Sequence, residues 1–89
     1  MGLRQVFRFH ADVPSEVAAF LRGFSSQVQV EDRGEFFAFR PRAGPDFLFD
    51  CALIPGGLLC ERSGEYFHFL GLFLEALTGQ FGKVEVEDA

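Results

Sequence analysis

The sequence predicts an α+β two-layer sandwich, a mainly antiparallel sheet with two helices on one face. Several short stretches alternate apolar and polar residues, as half-buried strands do. Two stretches instead repeat apolar residues at i, i+3, i+4 and i+7, the stripe of an amphipathic helix. A run of strands joined by short glycine-containing turns separates the two helices, which marks segregated layers and not alternating βα units. The 89 residues are read as one domain, 1–89, undivided by any linker.

Leu3 to His10 is the first expected strand, with Leu3, Phe7 and Phe9 on one face and Arg4, Val6, Arg8 and His10 on the other. Asp12 and Pro14 are helix-start residues; Val17, Phe20, Leu21 and Phe24 then form one apolar stripe, and Gly23 is placed to end the helix. Val28 and Val30 alternate with polar residues up to an Asp32–Glu35 turn, and Phe36 to Arg40 returns. A two-residue Arg33-Gly34 loop or a four-residue loop sets Val30 opposite Phe37 and Val28 opposite Phe39.

Residues 41–45 form a loop, and Phe47 to Ile54 leads through Pro55-Gly56-Gly57 into Leu58 to Arg62. A two-residue Pro55-Gly56 loop sets Cys51 opposite Cys60 but also Asp50 opposite Glu61, an unfavourable pair. A three-residue loop with Gly57 in the left-handed region pairs Asp50 with Arg62 and turns the cysteines to opposite faces. That register is expected, with both thiols free and Cys51 in the core. Ser63 is expected to cap a second helix that ends near Leu77 or Thr78 at Gly79. Tyr66, Phe69, Leu70, Phe73 and Leu77 form its main stripe, with Phe67, Gly71 and Leu74 beside it. Lys83 to Glu87 is the last strand.

The resulting order is β-α-β-β-β-β-α-β. Leaving out the Phe47–Arg62 hairpin gives the ferredoxin-like pattern; leaving out the last strand instead gives the curved TBP-like sheet. The ferredoxin-like variant is preferred, and neither layout carries a function by itself.

Charge and hydropathy narrow the function classes. Residues 1–42 have six Arg against five acids, and residues 43–89 have Arg62 and Lys83 against eight, within a net charge of −5. This balance opposes phosphate neutralisation, so no nucleic-acid partner is expected. With no secretory-type N-terminus and no apolar run near the ~20 residues that span a bilayer, no membrane partner is expected and the setting is read as cytoplasmic.

Thirteen phenylalanines and one tyrosine are more aromatic surface than so small a domain readily hides, since such chains bury only about 60 to 65 % of their unfolded surface. Part of it is expected to meet a partner. The sheet face away from the helices carries Phe36, Ala38, Leu48, Ala52 and Ile54 among Arg4, Arg8, His10 and Arg40, too apolar for a solvent face. The Phe67, Gly71 and Leu74 stripe is a second candidate face, Gly71 permitting close packing. Arg4, Arg8 and Arg40 converge on a small anionic ligand if the first and third strands are neighbours; otherwise Glu31, Asp50 and Glu85 are their expected partners.

No catalytic residue, cofactor or metal is assigned. His10 and Asp12, with His68 or Cys60, lack the spacing of a metal site. The favoured reading is a non-catalytic binding domain, a homodimer or one that holds a protein partner. The alternative is a small enzyme with a pocket between the helices and the 47–62 hairpin, using His68, Cys60 or His10. An immunity- or antitoxin-like inhibitor acting through the acidic second half is a further alternative.

Overall fold

The alternating stretches pair into one antiparallel sheet. The computed structural model describes residues 2–89. Its strands are β1 (Leu3–Arg8), β2 (Gln29–Asp32), β3 (Phe36–Arg40), β4 (Phe47–Ile54), β5 (Gly57–Gly64) and β6 (Glu85–Asp88), in the order β2-β3-β4-β5-β1-β6. Helices α1 (Ser15–Arg22) and α2 (Phe67–Phe81) lie on the same face.

The reason is visible at Phe73. This α2 side chain is fully buried, and six other rings surround it at centroid distances of 4.9 to 6.3 Å: Phe7, Phe39 and Phe49 from the sheet, Phe20 and Phe24 from the α1 segment, and Phe69. Tilted and edge-on contacts dominate, as ring quadrupoles favour. Eight of the thirteen phenylalanines are buried in this layer and only Phe67 is largely exposed, at 71 %. Interleaving of strand and helix rings therefore absorbs most of the aromatic surface expected to face a partner.

Several element boundaries differ from the sequence reading. Gly23 does end α1, as its C-cap, but without a left-handed φ; at φ −61° it opens a 3-10 turn, Gly23–Ser26, that carries Phe24 into the core. Ser63 is not a cap: β5 runs on through Gly64, pairing Leu48 with Ser63 and Phe47 with Gly64. Helix α2 starts only at Phe67 and passes Gly79 to Phe81, whose ring packs on Phe9 and Phe20. Its terminator is Gly82, at φ 81°.

Both hairpin registers also differ. In β2-β3, Val30 pairs with Phe39 and Asp32 with Phe37. Gly34 takes the first loop position with φ 88°, the II′ arrangement, and donates its N–H to the Asp32 carboxylate at 2.8 Å. In β4-β5 the loop is the two-residue Pro55-Gly56, with Gly56 at φ 80° in the position a type II turn requires. Gly57 is needed elsewhere: a Cβ there would lie 1.9 Å from the Phe7 carbonyl oxygen, so the missing side chain admits β1. Cys51 thus faces Cys60, and Cys60 and Arg62 point into the helix layer.

The β4-β5 hairpin lies between β1 and β3, which the ferredoxin-like layout makes neighbours. Arg4 and Arg8 are therefore three strands away from Arg40, and the anion-binding floor expected of them is not assembled.

Candidate functional site

The sheet has helices on one face only. On the other, the strand registers align one apolar row across four strands: Phe36 on β3 opposite Ala52, Ala52 opposite Leu59, and Leu59 opposite Val6. Leu48 and Ile54 extend it along β4. All six are half-buried, and the helices lie on the other side of the sheet. The Arg33 guanidinium stands 5.9 Å from the Phe36 ring centroid.

Ion pairs flank the row. Arg40 donates to Asp50 at 2.7 Å, Arg4 donates to Glu61 at 3.1 Å, and Arg8 pairs with Glu87. Each of the three arginines proposed for a ligand thus has a carboxylate of its own; of the partners expected for them, only Asp50 is used. Glu61 is the direct cross-strand partner of Arg4, whereas Arg8, with Glu85 directly opposite, reaches diagonally to Glu87 and leaves Glu85 to Lys83 at 3.8 Å. Leu59 and Glu61 were missing from the sequence reading of this face. The signal that places them is Pro55-Gly56 as a complete turn, which moves every β5 side chain to the other face.

The remaining candidates lie apart from this row. His10 is exposed in the segment after β1 and contacts Asp12 at 2.9 Å. Phe67, at the start of α2, stacks on Tyr66 with ring centroids 4.6 Å apart. Gly71 is exposed, with nothing within 4 Å of a Cβ built on it, so no second backbone is packed there; Leu74 turns partly into the core. Phe67, Gly71 and Leu74 belong to the helix layer, on the opposite side of the sheet from Phe36.

The two histidines line separate clefts. A cleft of about 480 Å³ has His68 with Glu65, Arg42, Phe47 and Leu72 in its wall. One of about 370 Å³ at the β4-β5 turn has His10 with Pro14, Leu53 and Pro55. Cys60 lines neither and is fully buried. Among the described residues no three His, Cys, Asp or Glu side chains are grouped to hold a metal ion, and no helix is long and apolar enough to cross a membrane.

Two carboxyl or thiol groups are displaced in their titration. Arg22 hydrogen-bonds Asp32 at 2.5 Å and, with the Gly34 N–H, holds its carboxyl below the ordinary 3.8. Burial, followed by the contact with Cys60, pushes the Cys51 thiol well up. Comparison with protein-family models, with curated proteins and with solved structures finds no match.

Proposed function

We propose that this chain is a non-catalytic binding domain whose uncovered sheet face docks a second copy of itself. The observation that carries the reading is the in-register row Phe36, Ala52, Leu59 and Val6 on the sheet face away from the helices. A sheet face left to solvent is ordinarily polar at alternate positions. The occupant is argued from charge and area. Arg4, Arg8 and Arg40 are neutralised within the face, so it offers no free cation to an acidic partner and suits a surface of its own apolar, charge-paired kind. The six strands together hold 35 residues; at about 3.4 Å per residue and about 4.8 Å between strands the whole face is roughly 570 Å² per copy, or about 1,100 Å² in a pair, near the lower bound of a specific interface.

As a layout, we read the sheet as a ferredoxin-like pattern widened by one hairpin. With β4 and β5 set aside the order is β6-β1-β3-β2.

The test is substitution on each side of the sheet. Leu59→Glu puts a charge in the centre of the row and is expected to give a folded monomer, whereas Phe67→Ser, on the helix side, leaves association unchanged. Equal association of both variants and the parent would exclude the sheet face.

A further inference from the structure

We propose that Cys51 and Cys60 form a redox modification site, closing into an intramolecular disulfide by exchange with a low-molecular-mass disulfide while the β4-β5 hairpin is still uncovered. The two residues are direct cross-strand partners, and their sulfurs are 3.3 Å apart. Counting from the closing Ile54–Gly57 pair, theirs is a non-hydrogen-bonded position, where Cα atoms approach to about 4.5 Å. Disulfides span Cα separations of about 4.4 to 6.8 Å. Closure therefore needs side-chain rotation and no backbone movement.

The chemistry fixes when this happens. Both thiols are fully buried under the helix layer, and burial keeps Cys51 protonated. Exchange requires a thiolate and access, so the folded protein is a poor substrate. The hairpin, by contrast, is local in sequence and precedes α2, whose Phe69 and Phe73 cover it. In the first step one cysteine thiolate attacks oxidised glutathione, forming a mixed disulfide and releasing one glutathione thiolate. The second cysteine then attacks the mixed disulfide at the protein sulfur, forming the Cys51–Cys60 bond and releasing the second glutathione. Two protein thiols are oxidised, one glutathione disulfide is reduced to two thiols, and the two protons leave with them. Arg62, two residues along β5 on the same face, favours the Cys51 thiolate electrostatically, although burial outweighs it once the core closes.

The test starts from the full chain, reduced and unfolded in urea, and refolds it in buffer with excess oxidised glutathione. Samples are acid-quenched, alkylated in denaturant and weighed intact. The expected product has lost two hydrogens, takes no alkyl group, carries no glutathione and has the helical circular dichroism of the reduced protein. The folded, reduced protein in the same buffer is expected to keep both thiols at least tenfold longer. Cys51→Ser and Cys60→Ala each abolish the two-hydrogen loss. Refolded protein with two alkylated cysteines, or with stable glutathione adducts, would overturn the proposal. So would a bridged form without native helicity, or equally fast oxidation of the folded chain.

Discussion

Asp50 and Glu61 stand directly opposite each other on β4 and β5, and each is held by an arginine from the strand beyond, Arg40 at 2.7 Å and Arg4 at 3.1 Å. Like charges in a cross-strand pair disfavour a register; here the neighbouring strands supply the compensating cations. Asp50 is the more shielded of the two, with 16 % of its side chain exposed. Arg40→Met is expected to lower the unfolding free energy by about 1 kcal/mol, and adding Asp50→Asn to restore most of it. Urea unfolding of the single and double variants checks this.

Two glycines should respond in opposite directions. Gly57→Ala drives a methyl into the Phe7 carbonyl and Arg8 backbone of the adjoining strand, a clash with main chain that should cost about 3 kcal/mol or prevent folding. Gly71→Ala adds a methyl in open space on α2 and should stabilise by up to about 1 kcal/mol. Thermal melts of the two variants measure the contrast.

Arg62 is buried at 4 % exposure, between the rings of Phe7 and Tyr66. It donates to the Gln5 side-chain oxygen at 2.6 Å, while its Nε and Nη1 have no acceptor among the described residues. Gln5 in turn donates to Asp88 at 3.3 Å. A buried cation this incompletely satisfied contributes little net stability. Arg62→Met is therefore expected to leave stability unchanged or raise it by about 1 kcal/mol, whereas Gln5→Ala, which strands the cation, should lower it by about 1 to 3 kcal/mol. Chemical denaturation distinguishes the two.

Asp32 links stability to pH. Its carboxyl is depressed in the folded protein, first by Arg22 and then by the Gly34 N–H. The sign follows: the contribution is present above the ordinary carboxylate pKa of 3.8 and is lost as pH falls through the lower folded value. Asp32→Asn should be less stable than the parent at neutral pH, and the gap should narrow below that value. Unfolding curves at neutral pH and in the acid range test it.

Much of this arrangement is legible in the sequence, and the failures share a cause. Period two in Phe7/Phe9, Phe37/Phe39 and Phe47/Phe49 and period 3.6 in Val17 to Phe24 and Phe69 to Leu77 depend on which face is buried, and both layers follow from them. Turn register depends instead on which of several adjacent residues adopts a positive φ. Gly56 and Gly57 are equivalent by composition; only the approach of Phe7, far away in sequence, assigns Gly57 to close packing and Gly56 to the turn. That one choice puts Leu59 and Glu61, in place of Cys60 and Arg62, on the uncovered face. The acid pair that argued against it is relieved by Arg4 and Arg40, whose positions depend on strand order and not on local pattern. Ser63 and Gly79 likewise carry strong helix-boundary signals that strand pairing and the packing of Phe81 on Phe9 and Phe20 override.

Sedimentation equilibrium of the reduced protein over a wide concentration range, at low and high salt, tests the central claim most directly. Each copy carries a net charge of −5, so an apolar face-to-face dimer should appear at micromolar concentration and tighten as salt screens the repulsion. Leu59→Glu should sediment as a monomer under the same conditions. A parent chain that stays monomeric at every concentration and salt, or a dimer indifferent to Leu59→Glu, would contradict the account.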